Sequence, residues 1–185
     1  LDALLGGVSD AARGRWVHYL ENHDERRVAS PLVLHGGAGE SGFGSMDAGR
    51  RLAPILYLCD GGPILVHAGQ EVGETGAGDE GFGGEDGRTS IFDYTSMPAM
   101  VRWVNAHAYD GGRLDDAQKK LRAYYGDLLL LAQDPAVRGD RYWGLWYVNR
   151  SAAHADASDR IFSFARFATG GGRILVVAAD VGPAS

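Results

Sequence analysis

The sequence predicts an α/β fold followed by a small antiparallel β region, and three observations carry that prediction. Between residues 16 and 71 a strand candidate, a polar loop, a helix, a second strand candidate and a second polar loop succeed one another. That is the repeating order of an α/β barrel or a doubly wound sheet. Residues 114–133 hold the strongest helical pattern in the chain, and after Asp134-Pro135 the spacing changes from helical to alternating. The change divides the chain into residues 1–135 and 136–185.

Taken in order, Leu1, Leu4, Leu5 and Val8 have a helical spacing that dissolves at Gly6-Gly7 and Gly14, as at the end of a helix. Residues 16–20 are the first strand candidate, and a dense polar cluster follows them. The short apolar run 31–35 leads into a glycine-rich loop over residues 36–44. Ser45 suits the cap of a helix reaching about Cys59, with Met46, Leu52, Ile55, Leu56 and Leu58 or Cys59 near one face. Asp60-Gly61-Gly62 stops it. Residues 63–68 are the second strand candidate, again ending in polar groups, Gly69-Gln70-Glu71.

Residues 72–93 carry a glycine at nearly every second or third position, and a connection that long suits a loop over a site. A short helix is expected over 96–106. In the helix over 114–133, Leu114, Leu121, Tyr124, Leu128 and Leu131 share a side, and Asp115-Asp116 suit its first turn. Residues 142–149, 160–168 and 173–180 are rich in aromatic and branched residues between polar or glycine turns, the pattern of an antiparallel sheet. Its aromatics, Trp143, Trp146 and Tyr147, are expected in the packing against the preceding domain rather than as a stacking platform.

Composition excludes several classes. At 185 residues and 45% hydrophobic content a sizeable core is possible, yet no apolar run approaches the length that spans a bilayer. A membrane partner is not expected. The formal charge of -6 disfavours nucleic acid, whose binding needs a basic face, and suits a neutral ligand. Cys59 is the sole cysteine, which rules out an internal disulfide and a cysteine metal cluster. In Tyr57-Leu58-Cys59 it reads as a small buried hydrophobe.

The run Gly37 to Gly42 matches a dinucleotide fingerprint, but the following helix ends at Asp60 and leaves no room for the second strand such a unit requires. A plain loop is expected. His18, Glu21, His23 and Asp24 form no ready metal chelate, because His18 and His23 are an odd number of residues apart along a strand. His18 reads as a core histidine with a hydrogen-bonded ring. No metal or other cofactor is expected from these residues.

Asn22-His23-Asp24 suggests more specific chemistry. A carboxylate and an imidazole adjacent at a strand end hold the vicinal hydroxyls of a sugar and place negative charge near a developing oxocarbenium ion. A solvated loop with a capping Asp fits the same residues.

At this point the chain resembles a known family. Tyr19-Leu20-Glu21-Asn22-His23-Asp24 is similar to the seventh-strand signature of the α-amylase family of glycoside hydrolases, family 13. Gly62-Pro63-Ile64-Leu65-Val66-His67-Ala68-Gly69-Gln70-Glu71 resembles that family's eighth-strand motif. The segment from Gly84-Glu85-Asp86-Gly87-Arg88 to Phe92-Asp93-Tyr94 is similar to a stretch of one bacterial branch. Order and spacing agree across essentially the whole chain.

The resemblance implies the last two strand-helix units of an incomplete (β/α)8 TIM barrel, followed by the beginning of a C-terminal antiparallel β domain. It implies retaining chemistry at α-1,4-glucosidic bonds of starch, glycogen or maltooligosaccharides. Asp24 matches the carboxylate that stabilises the transition state, and His23 the histidine that binds the same sugar. Asn22 and Arg27 fall on motif positions with a supporting role, holding the loop and its carboxylate in place, and Gln70 and Glu71 are substrate-facing or stand behind that layer.

The departures are equally definite. The resemblance begins near the sixth helix, so the Asp nucleophile and Glu general acid of the fourth and fifth strands lie outside it. Calcium, held by an inserted domain in many members, is an expectation for a full-length enzyme only. The eighth-strand proline is one place early, and His67-Ala68 stand where tyrosine is frequent. Glu21, Glu25, Glu71 and Glu74 have no spacing that replaces the missing pair, so the 185-residue chain alone is expected to be inactive. By the same resemblance a transglycosylase or a trehalose-forming isomerase would share these motifs. A noncatalytic amylase-like binding subunit is the alternative of another class, and since such relatives need not keep the sugar-binding pair, His23 and Asp24 favour the enzyme. Compartment is left open among bacterial cytoplasm, periplasm and secretion.

Overall fold

The computed structural model describes residues 12, 14–31, 44–77, 87–91, 96–145, 147 and 160–182. Among them are three α-helices, α1 (Met46–Tyr57), α2 (Pro98–Val104) and α3 (Asp116–Leu131), and a 3-10 turn at Gln70–Val72. Three strands follow, β1 (Arg141–Gly144), β2 (Ile161–Phe167) and β3 (Leu175–Asp180), in one antiparallel sheet of order β1-β2-β3. The protein is a mixed helix and sheet fold. The glycine-rich run 36–44 up to its last residue, most of the 31–35 segment, much of the 72–93 loop, the first residues of the chain and Trp146 lie outside the described residues.

Contacts group the chain into two compact units. One holds residues 1–18, 51–65 and 127–185, the other residues 19–50 and 66–126. The chain passes between these groups several times.

In the first unit the sheet is built as its alternation predicts. Trp143 pairs with Ala165, and Ala165 with Val176, so the three share one face, while Phe164 and Arg166 point to the other. Phe164 is fully buried and stacks on Tyr142 at 5.4 Å. Arg166 is buried too, donating to the carbonyls of Val137 and Gly139. Contrary to the packing expected of them, Trp143 and Tyr147 are 56% and 51% exposed. Trp143 lies on the first strand of the sheet and on the face away from Phe164, where the alternation of the strand sends it.

Of the two strands expected over 16–20 and 63–68, a single parallel bridge between His18 and Ile64 forms. His18 N–H donates to Pro63 O at 2.8 Å, and Leu65 N–H to His18 O at 2.9 Å. On one side the ladder stops for a local reason: Pro63 has no N–H to give to the next rung at residue 16. The His18 ring is buried, as expected, with Nε2 2.8 Å from Asp60 Oδ1 and Nδ1 3.8 Å from the fully buried Cys59 Sγ. Those two bonds, Asp60 first, outweigh burial and raise the imidazole to about 10. Burial pushes Asp60 up, but the His18 bond and the Gly62 amide at 2.6 Å bring its carboxyl below the usual range.

The second unit is centred on Val72, Ala99 and Leu114, with Met100 and Trp103 packed against them. The helix starts are explicit. Ser45 Oγ caps α1 through the Ala48 amide at 3.3 Å. Glu74, fully inside, accepts the Ala99 amide at 2.8 Å and so caps α2, whose first residue is a proline. Asp115 Oδ1 accepts the Gln118 amide at 2.8 Å and Gln118 Oε1 the Asp115 amide at 3.3 Å, a reciprocal capping box that starts α3. The buried row of α3 is Gln118, Leu121, Tyr125 and Leu128, so Tyr125 takes the inward place expected of Tyr124. Tyr124 has another use. Pro54 inside α1 cannot donate to Arg50 O, and the Tyr124 hydroxyl supplies that bond at 2.8 Å.

Candidate functional site

The candidate residues stand on two loops of the second unit. In the first, Asn22 shapes the backbone, its Oδ1 accepting the amides of Asp24 at 2.8 Å and Glu25 at 3.1 Å. This Asx-type turn presents His23 and Asp24 outward, with side chains 42% and 73% exposed. His23 Nε2 lies 3.4 Å from Asp24 Oδ2. So exposed a pair adds little to stability. Its use is chemical: an imidazole and a carboxylate side by side at the surface, able to share the hydroxyls of a polar ligand.

The base of this loop is buried. Glu21 Oε1 accepts Arg27 Nη1 at 2.7 Å and Oε2 accepts the Val28 amide at 2.6 Å. Burial pushes the Glu21 carboxyl above its usual range, opposed by the Arg27 charge and the Val28 amide. Arg27 also donates Nε to Thr89 Oγ1 at 2.9 Å, and Nη2 to Ala68 O at 2.8 Å and Met97 Sδ at 3.3 Å. Its amide reaches Gly87 O at 2.7 Å. Gly87 must be glycine: its φ is +74°, and a Cβ would meet Ser30 Oγ at 2.5 Å and Arg26 Cγ at 2.6 Å.

The second loop turns at Gly69, whose amide donates to Glu71 Oε2 at 3.2 Å. Gln70 is buried and donates Nε2 to Tyr125 Oη at 3.0 Å, while Glu71 is half-buried. His67, just before the turn, is held down to about 4 by burial and then by the charges of Arg27 and His23. Its Nε2 has no hydrogen-bond partner among the described residues. A cavity lined by Glu21, Gln70, Glu74 and Tyr125 has room for about one water molecule.

Of the six expected site residues, His23 and Asp24 therefore face outward and Asn22 forms their turn. Arg27 and Gln70 are buried against protein groups, and Glu71 bonds to the backbone beside it. Glu74, like Glu21, gives both oxygens to protein donors, the amides of Thr75 and Ala99. Sequence reasoning gave Arg27 a supporting role but missed its pairing with Glu21, and it assigned no role to His67 or Thr89. An acid and a base six residues apart in a loop carry no periodic signature. Thr89 lies 62 residues from Arg27 along the chain.

Among the described residues no three His, Cys, Asp or Glu side chains converge to hold a metal ion, and no helix is long and apolar enough to cross a membrane. The sequence matches no protein-family model, and no curated protein matches it.

Proposed function

We propose that this chain is part of an α-glucan-active retaining glycoside hydrolase, α-amylase-like, in which His23 and Asp24 grip one glucose unit of starch, glycogen or a maltooligosaccharide. The observation that carries the reading is the outward pair on a braced loop. His23 and Asp24 stand adjacent and exposed, while Arg27 beneath them bonds to Ala68 O, next to the turn bearing Gln70 and Glu71. In the mechanism proposed, Asp24 accepts two sugar hydroxyls and stabilises positive charge at the anomeric carbon, and His23 donates to a hydroxyl of the same ring. The barrel reading belongs to the same proposal. It is supported by the parallel sense of the His18–Ile64 bridge and by the exposure of Trp16, Val17 and Leu65 beside it, apolar residues of the kind a barrel strand buries on both faces.

Saturation-transfer NMR with maltoheptaose tests this. The 185-residue chain should bind the sugar weakly, on the order of millimolar, and His23→Ala and Asp24→Asn should each weaken binding by about tenfold, roughly 1.4 kcal/mol. It should release no reducing sugar from soluble starch, because the nucleophile and acid that retention requires are not among its motifs. Binding that survives both substitutions would remove the proposal.

A further inference from the structure

Four stretches of the second unit meet on one guanidinium. Arg27 rises from the His23–Asp24 loop, is gripped by Glu21 of that loop, and reaches Ala68, Thr89 and Met97 on three others. Its side chain is 0% exposed and that of Glu21 1%, so no solvent competes for the fork. The bond to Ala68 O falls one residue before Gly69, the residue whose left-handed conformation starts the Gln70–Val72 turn. On the other side, the Val28 amide closes the loop onto Glu21 Oε2, so the chain between Glu21 and Val28 has a fixed span with Asn22, His23 and Asp24 at its tip.

We propose that Glu21 and Arg27 are the positioning pair of this site, setting where His23 and Asp24 stand with respect to Gln70 and Glu71. Neither touches the sugar. They act through the loops they join, and the inference rests on the carbohydrate reading only for the identity of the ligand. Arginine is required rather than lysine, because one ammonium cannot reach a carboxylate, a hydroxyl and a carbonyl in the fixed directions of a planar fork. Glutamate is required because its two oxygens answer two donors, the guanidinium and the Val28 amide. In Glu21→Gln one of those donors would face an NH2 group instead of an acceptor.

The test is to compare backbone amide NMR spectra of the isotopically labelled chain with those of Glu21→Gln and Arg27→Lys at a temperature where each is folded. Positioning predicts that signals of residues 22–24 and of residues 68–71 move together in both variants, and that maltoheptaose affinity drops by about tenfold in Arg27→Lys. A pair that only stabilises the fold lowers the melting temperature and leaves those signals and that affinity in place, which overturns the proposal. Where a variant does not fold, the unaltered chain decides. Its Arg27 Nε proton should exchange with water as slowly as the Arg27 amide, and exchange as fast as that of free arginine overturns the proposal too. If the unaltered chain ignores maltoheptaose, the carbohydrate reading fails while the amide signals still report on positioning.

Discussion

Two imidazoles, His18 buried and His67 half-buried, illustrate how much a single residue's surroundings decide. His18 is raised from the usual 6.5 to about 10 by Asp60 and Cys59, whereas His67 is lowered to about 4 by burial, Arg27 and His23. For His18 the folded chain keeps a proton that the unfolded chain loses, so its contribution is complete below pH 6.5 and disappears as pH rises toward about 10. For His67 the unfolded chain takes up a proton that the folded chain refuses, so stability falls as pH drops from 6.5 toward about 4. Asp60, lowered overall, adds to the loss at the acid end. Urea midpoints measured against pH should therefore be highest near 6.5. His18→Asn should flatten the alkaline arm and His67→Asn the acid arm, and an arm unchanged by its substitution would refute the assignment. His18 is legible in the sequence as a hydrogen-bonded core residue. Its partner is not: Asp60 looks like a helix stop, and nothing local joins residues 42 positions apart.

At the scale of the element, legibility follows from how local the determinants are. The three helices fall inside the stretches expected over 45–59, 96–106 and 114–133, because spacing, caps and stops lie within the segments themselves. The strands over 160–168 and 173–180 are legible for the same reason, their alternation being intact. The 16–20 and 63–68 segments shrink to one bridge because a strand needs a neighbour, and no residue inside it names that neighbour. Periodicity alone turns Tyr124 inward, since it cannot see that Pro54 leaves a carbonyl waiting on α1. The Asp115–Gln118 box makes the start of α3 testable. Asp115→Ala should cost about 0.5–2 kcal/mol and lower the thermal midpoint. Asp116→Ala, outside the box, should cost less, and equal losses would count against the cap.

On the scale of the whole molecule, apolar surface is the prominent fact. Trp16, Val17, Tyr19, Leu65, Trp143, Ile174 and Val176 are all at least 36% exposed, and several neighbour backbone that has no sheet partner among the described residues. Light scattering of the chain should show self-association that grows with concentration and salt. Monodisperse monomer at high concentration would contradict this. The candidate site is half legible: the motif singles out His23 and Asp24, which face outward, whereas the buried pair beneath them is visible only once distant stretches are folded together.

That buried fork carries a lesson for protein engineers. Because Arg27 serves four stretches at once, the loops around it are not modular. Transplanting the Gly69–Val72 turn from another scaffold, or redrawing the segment at Thr89, would leave donors pointing at nothing unless the receiving arginine's other acceptors travelled with it. Substitutions at the loop tips should be tolerated singly, those at the roots only as a set.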